Sequence, residues 1–328
     1  MLSVIIPIYR VEAYIERCAR SLMEQTMPDI EFIFVDDCSP DGSVEVLQRV
    51  IADYPERQSQ VHIIRHEQNR GLPAARNTGL SHATGDYIFH CDSDDYLERD
   101  ALEQLYTKAV ESDADIVYSD WYLTFIPSLN GKERYMRCPE YATVEEALRG
   151  LLHGTMKYNV WNKLVRKSLY SLIENDNEDG NQNGIRFPEG HGMGEDMTMI
   201  LLFAKALRVA YLPKGTYHYV RQNENAFTAA RSEASYADLR FNADRIIKTL
   251  QGKVFATDLD CFKLNVKFPF LISNRSEDYD RWHRWFPEAN DYIPCHHVSS
   301  RARFLERCAQ KNLHWILKAH FFLLQRLS

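Results

Sequence analysis

The chain has 328 residues, 45% hydrophobic and 12% aromatic, enough for one large core or a core with an extension. Charged residues make up 26% and the net charge is −7, a balance that disfavours nucleic acid as a partner. The seven cysteines include no C-x-x-C pair, which argues against a disulfide framework or a zinc cluster and fits a reducing cytosol.

In chain order, Leu2 to Tyr9 reads as a first strand, so no signal peptide is expected before it. Glu12 to Thr26 reads as a helix with Ile15, Cys18, Ala19 and Leu22 on one stripe. Ile30–Val35 is a second strand, and Gly42–Tyr54 a helix burying Val46, Leu47 and Val50. Val61–Arg65 is a third strand, Leu72–Ala83 a short helix and Tyr87–Cys91 a fourth strand. A helix over Ala101–Glu111 and a strand over Asp115–Tyr122 follow. Strands separated by helices imply an α/β fold with a mostly parallel sheet covered on both faces. Ligands of such sheets bind at the carboxyl ends of the strands.

The second half is less regular. Ile126–Pro139 reads as a polar loop and Glu174–Gly184 (ENDNEDGNQNG) as a flexible acidic insertion. Glu195–Leu207 reads as a helix with Ile200, Leu201, Ala204 and Leu207 facing the core. Beyond about residue 230 the pattern is helical with no clear strand. The expected organisation is a catalytic domain over 1–228 and a helical C-terminal extension over 229–328.

The acidic turn after the fourth strand is the most informative feature. Residues two apart in an extended chain point to one side, so Asp92 and Asp94 can aim two carboxylates at one point, with Asp95 beside them. Crowded carboxylates repel and favour a cation. Oxygen-only ligands suit Mg²⁺ or Mn²⁺, whose remaining positions go to phosphate or water. The same turn could simply cap the helix that follows. Other blocks carry similar pairs of readings. Tyr9, beyond the stiff Pro7, could stack on a base or pack on the next helix. Asp36-Asp37-Cys38-Ser39-Pro40-Asp41 could read a base N–H, while Ser39 or Asp41 could cap a helix. In Asn69-Arg70-Gly71-Leu72-Pro73-Ala74-Ala75-Arg76-Asn77, Arg76 and Asn77 could reach a phosphate or ribose, or start an ordinary helix.

Together the runs SVIIPIYRVEAYIERCARSL, FVDDCSPDGS, NRGLPAARNTGL and GDYIFHCDSDD resemble the family 2 glycosyltransferases, which have the GT-A fold. Gly194-Glu195-Asp196 resembles the family's "ED" pair, and Asn162-Lys163-Leu164 and Tyr217-His218-Tyr219-Val220-Arg221 resemble stretches of bacterial members. The resemblance covers roughly residues 1 to 225 and implies an inverting, metal-dependent transferase. Its donor is a nucleotide sugar, a UDP-sugar by first expectation. Its acceptor is a hydroxyl of a glycan or a lipid-linked molecule in cell-surface polysaccharide synthesis. Block by block it implies a nucleotide site of Pro7, Tyr9, Glu12, Asp36, Asp37, Arg76, Asp92 and Ser93. It makes Asp94, with Asp92, the ligands of Mn²⁺ or Mg²⁺, and Asp196 the catalytic base. Glu195 would hold the acceptor or act as the base instead; both acids could also serve only the dipole of the helix they start. Arg10 and Cys38 depart from the family, where Asn and Gly are usual.

Glu189–Gly194 lacks the Lys-Ser/Thr that completes a phosphate loop and reads as a lid beside the acceptor. His218 could be a further metal ligand or a packed strand residue, and Arg221 a diphosphate contact or a surface residue. Residues 301–328 hold six Lys/Arg against one acid, a net +5, so 1–300 carry −12. This basic amphipathic stretch could lie on an anionic membrane, pack on the catalytic domain or meet a second subunit as a homodimer. No run approaches the roughly 18 apolar residues of a membrane span, so a cytoplasmic protein, peripheral on the inner membrane surface at most, is expected. A sugar-phosphate nucleotidyltransferase would show a Gly- and Arg-rich loop after the first strand, where Pro7–Glu12 stands. A non-catalytic nucleotide-sugar-binding or scaffold protein of this fold is the reading from another class.

Overall fold

A computed structural model describes residues 1–125, 132–170, 184–221, 232–296 and 299–327. It divides into two compact units, residues 1–144 with 158–242 and residues 145–157 with 243–328.

The first unit is built on β1 (Leu2–Ile8), every residue of which is buried. β1 pairs in parallel with β2 (Ile30–Asp36) on one side and β4 (Tyr87–His90) on the other, with Ile5 level with Ile33 and His90. β3 (Val61–Arg65) adds in parallel beyond β2. Continuous apolar runs make these central strands because helices cover both faces. Of the connecting helices, α1 (Ile15–Met23) buries Ile15, Cys18, Ala19, Leu22 and Met23. α2 (Ser43–Ala52) buries Val46, Leu47 and Val50. α3 (Leu72–His82) lies against β1 and β2, and α4 (Ala101–Glu111) ends this half.

Beyond β4 the sheet becomes mixed, in the order β3-β2-β1-β4-β8-β6-β9-β5 with β7 paired to β6. β5 is the two-residue Tyr96–Leu97, β6 is Ile116–Phe125 and β7 is Lys132–Met136. β8 is Lys163–Arg166 and β9 is Val209–Val220. β8 runs antiparallel to both β4 and β6. β6 and β9 run parallel with a register shift at Ser119–Trp121. At that bulge Asp120 accepts hydrogen bonds from Tyr135 Oη (2.7 Å), Tyr211 Oη (2.8 Å) and the Cys138 N–H (2.6 Å).

Two expectations are corrected. The polar loop expected over Ile126–Pro139 contains β7; its Lys132-Glu133-Arg134-Tyr135-Met136 run carries the charges of an outer strand, paired among the described residues to the far half of β6 alone. Residues 126–131 lie outside the described residues, as does the expected insertion except for Gly184. The helix expected over Glu195–Leu207 is a 3₁₀ turn, Glu195–Met197, followed by α6 (Thr198–Lys205). Met199, Ile200, Leu201, Leu202 and Phe203 are buried, whereas Ala204 is exposed and Leu207, past the helix end, is 84% exposed. Extending a 3.6-residue stripe through Leu207 fails because the chain leaves the helix at Ala206, whose φ/ψ is extended.

The second unit holds most of α5 (Val144–Leu152) and the latter part of α7 (Glu233–Leu250). α8 (Ala256–Lys267), α9 (Ser276–Arg284), α10 (Ser300–Gln310) and α11 (His314–Leu327) complete it. Phe262, Phe270, Leu271, Tyr279 and Trp282 form its core. The buried Lys267 ammonium lies 4.3 Å from the Trp282 ring centre and donates to the Trp285 and Phe286 carbonyls, both at 3.1 Å. The described residues beyond 230 contain no strand.

Candidate active site

Because β1 lies between parallel neighbours on both sides, the carboxyl ends of β1, β2 and β4 open at one edge, where the strand order reverses. Pro7 is buried in β1 opposite Val35. Tyr9, just outside, is 40% exposed, with the Arg10 guanidinium 5.3 Å from its ring centre. Arg10 and Cys38 both have left-handed backbones, φ 55° and 56°. Asn and Gly adopt that region most readily, so the two departures from the family pattern fall where side-chain type meets backbone strain. Glu12 braces the two exit loops: its Oε2 accepts the Gly42 N–H at 2.9 Å and its own N–H donates to Asp41 Oδ2 at 3.1 Å. At the start of α2 Asp41 Oδ1 accepts the Ser43 N–H at 3.3 Å and the Ser43 hydroxyl at 2.6 Å.

Asp36 and Asp37 are buried. Asp36 accepts the Ser39 N–H at 2.8 Å and pairs with Arg65 at 3.2 Å. Asp37 Oδ1 accepts the Arg70 N–H (2.8 Å) and meets His66 Nδ1 (2.7 Å), while its Oδ2 accepts the Gly71 N–H (2.7 Å). Both Asp37 oxygens therefore hold the loop that launches α3.

Gly71, at φ 87°, turns the chain into α3. Further along, Gly79 presses on β1 so closely that a Cβ there would sit 2.3 Å from Ile5 Cγ2. Arg76, on this helix, is only 2% exposed. Its Nη2 donates to Asp92 Oδ1 at 2.9 Å and its Nε to Glu195 Oε1 at 3.2 Å. Among the described residues Nη1 has no hydrogen-bond partner, and neither has Glu195 Oε2. Burial opposes the Arg76 charge, but Glu195 and Asp92 more than offset it and hold the guanidinium cationic. The next residue, Asn77, exchanges hydrogen bonds with the Phe187 backbone (2.9 and 3.0 Å) and donates to Glu189 at 3.1 Å. The chain leading to Glu195 is thereby fastened to α3.

The acidic turn is closed by Asp95 N–H to Asp92 O at 3.1 Å. Asp92 and Asp94 are half-buried, whereas Asp95 is buried and points inward. It accepts from Tyr217 Oη and the Val220 N–H, both at 2.7 Å. Burial, with the Asp94 and Asp92 charges beside it, pushes its carboxyl well above the usual range. Asp95 thus anchors the turn to β9. Ser93 is buried, and Arg17 donates to the Asp94 carbonyl at 2.9 Å. Among the described residues no three His, Cys, Asp or Glu gather into a metal cluster. Two half-buried carboxylates, Asp92 and Asp94, with oxygen donors alone fit a hard divalent cation that shares its other positions with phosphate or water.

Gly194, left-handed at φ 81°, starts the turn that carries Glu195 and Asp196. Glu195 is buried, and burial pushes its carboxyl up to about 8 against the pull of Arg76. Asp196 is half-buried and raised by desolvation to about 6, with Arg76 and Lys163 opposing the shift. Lys163 is fully buried and donates to the Asn159 carbonyl (2.7 Å) and to Asn162 Oδ1 (2.8 Å); burial lowers its ammonium to about 8. Sequence reading marked Asn162-Lys163 without assigning a role, because the influence of the Lys163 charge on Asp196 exists only in three dimensions.

The glycine segment is tied to α7. His191 Nδ1 and the Gly192 N–H both meet Asp238 at 3.1 Å, and Asn242 Nδ2 donates to the His191 and Met193 carbonyls at 3.1 Å. His218 lies in β9, stacked between Tyr96 (4.1 Å) and Tyr122 (4.6 Å), with Nε2 on Glu98 at 2.7 Å and Nδ1 on Thr124 at 3.1 Å. It is a packed strand histidine with both ring nitrogens engaged. Arg221 is exposed at the strand end.

Residues 3–179 match the family described as Glycosyl transferase family 2. The uncharacterized glycosyltransferase EpsJ of Bacillus subtilis (strain 168) is 34% identical over 235 residues, 70% of this chain and 63% of EpsJ. The chain thus spans less than two thirds of that relative. A crystal structure of residues 1–349 of S. aureus TarS with UDP-GlcNAc superimposes with a TM-score of 0.67 at 21% identity, covering 100% of this chain and 92% of the other. The mannosyltransferase PcManGT of Pyrobaculum calidifontis, in complex with GDP-Man and Mn²⁺, gives a TM-score of 0.51 at 17% identity over 98% and 83%. These likenesses establish the GT-A fold.

Proposed function

The chain belongs to glycosyl transferase family 2, and from that premise we propose that it moves a glycosyl group from a UDP-sugar to an acceptor hydroxyl with inversion, using a divalent metal. The acceptor is a glycan or lipid-linked molecule of cell-surface polysaccharide synthesis. The observation that carries this reading is the Arg76 bridge: one buried guanidinium joins the acidic turn to the Glu195-Asp196 pair and keeps Nη1 without a partner among the described residues. An oxygen of the leaving diphosphate satisfies that donor. Tyr9, the exposed ring at the mouth of β1, offers the uracil a stacking face. The TarS complex with UDP-GlcNAc, on the same fold, supports the choice of UDP.

Asp94 and Asp92 would hold Mn²⁺ or Mg²⁺, which when bound neutralises charge on the departing diphosphate. The other work falls to side chains. Asp196 accepts the proton of the acceptor hydroxyl as that oxygen bonds to the anomeric carbon and the bond to diphosphate oxygen breaks on the opposite face. Glu195, raised by burial and hydrogen-bonded to Arg76, keeps the guanidinium in place. Calorimetry of UDP with and without Mn²⁺, on wild type and Asp94→Ala, tests the site. Binding that needs both Mn²⁺ and Asp94 is expected. Binding indifferent to either would overturn the metal assignment, and no binding would overturn the donor site.

A further inference from the structure

The last helix is apolar on two sides. Leu317 of α11 is buried in the second unit, while Trp315, Ala319, Phe322 and Leu323 are exposed. The spacing i, i+4, i+7, i+8 puts these four on one outward stripe. Trp315 is 70%, Phe322 53% and Leu323 60% exposed. Large apolar side chains do not line up in water on a helix without a reason for the stripe. Neighbouring charge tells what kind of surface would cover it. Arg301, Arg307 and Lys311 are exposed, and Arg301 Nε bonds His320 of α11 at 2.7 Å. The one acid between 301 and 328, Glu306, is fully buried and committed to His296 Nδ1 at 2.8 Å. The described exposed charges of this segment are therefore all positive, in a chain whose remainder carries −12.

We propose that α10 and α11 form a docking surface for an anionic lipid bilayer, with Trp315, Phe322 and Leu323 entering the headgroup–acyl boundary and Arg301, Arg307 and Lys311 meeting lipid phosphates. An exposed Trp beside aliphatic and aromatic residues and cations is the composition of a helix lying in the membrane interface. No described helix is long and apolar enough to cross a membrane, so the contact is parallel to the surface. A second copy of the chain fits less well. Stable protein interfaces use about 20–30 residues a side and deplete Lys at their centre, whereas this stripe is four residues wide among cations. The inference is independent of the transferase reading.

The test is co-sedimentation of the full chain with phosphatidylglycerol/phosphatidylcholine vesicles and with phosphatidylcholine alone. Wild type should bind the anionic vesicles at least about tenfold more tightly, and less so in high salt. The triple variant Trp315→Ser, Phe322→Ser, Leu323→Ser and the double variant Arg307→Gln, Lys311→Gln should each lose about tenfold. All the substituted side chains are exposed, and thermal melts with UDP calorimetry confirm that each variant stays folded with its donor site unchanged. No binding of wild type to anionic vesicles overturns the proposal. So do variants that bind like wild type, or a wild-type dimer that the triple variant converts to monomer with no change on vesicles.

Discussion

At the scale of single residues, the chemistry turns on how Asp196 is tuned. Burial raises its carboxyl from 3.8 to about 6, and the Lys163 and Arg76 charges keep it from rising further. A base must be ionised to act, so kcat should rise about tenfold per pH unit below about 6 and level off above. Asp196→Asn should lower kcat by about 10²–10⁴ while UDP affinity holds. The same shift sets a stability sign. A carboxyl whose folded pKa exceeds its unfolded value binds its proton more tightly when folded, so stability falls as pH rises from about 4 through about 6. The Asn variant escapes that loss and should melt higher than wild type at neutral pH, so activity and stability move in opposite directions. Lys163→Met removes a buried positive charge that lowers the Asp196 pKa, and should move the acid limb of the profile to higher pH. A limb that stays put would reduce Lys163 to a packing role. Full-chain pH–rate profiles and urea melts read all three.

At the scale of elements, the site depends on how closely α3 lies on β1. Gly79 allows that approach, and Arg76 rides on the same helix. Gly79→Ala sets a methyl against Ile5, an overpacking that costs typically 1–3 kcal/mol, and tilts Arg76 away from Asp92 and Glu195. Urea unfolding should show the loss, and UDP affinity should fall with it; unchanged affinity would mean that α3 does not set Arg76. The sequence pattern made this half of the fold legible. Buried apolar runs such as Val4-Ile5-Ile6 and Phe32-Ile33-Phe34 alternate with helices whose stripes keep a 3.6-residue period. In the far half only β6, read as Asp115–Tyr122, was legible, and the rest was not for identifiable reasons. Three of the five residues of β7 are charged, β5 has two residues, and β9 is interrupted by Pro213-Lys214-Gly215, where its register with β6 shifts. The contacts that assemble the site were invisible in the same way: Arg76 and Glu195 are 119 residues apart. A local pattern can nominate both residues, but only the sheet order brings them together. Asp95 shows the limit within one motif, because Asp92 and Asp94 stay half-buried while Asp95 is buried and turns in to Tyr217 and Val220.

At the scale of the whole molecule, every residue proposed for donor, metal and catalysis lies in the first of the two compact units, residues 1–144 with 158–242. Binding there should therefore stabilise that unit selectively. A ligand that binds only the folded form adds RT ln(1 + [L]/Kd), about 2.7 kcal/mol at a hundredfold excess over Kd. For a unit of roughly 150–250 residues each kcal/mol is worth about 2–4 °C. Saturating UDP with Mn²⁺ should then raise its unfolding midpoint by roughly 5–10 °C. Chains of more than one unit need not unfold in a single step, so the shift is best read by scanning calorimetry with limited proteolysis of the two segments. Protection should appear in peptides around Asp92–Tyr96 and Glu195–Met199, and peptides from α8 to α10 should melt where they did without ligand. EDTA should abolish the shift, and Asp94→Ala should fail to show it. Equal protection of both segments would mean that the nucleotide also orders the helical unit, and no protection anywhere would remove the donor site from the first unit.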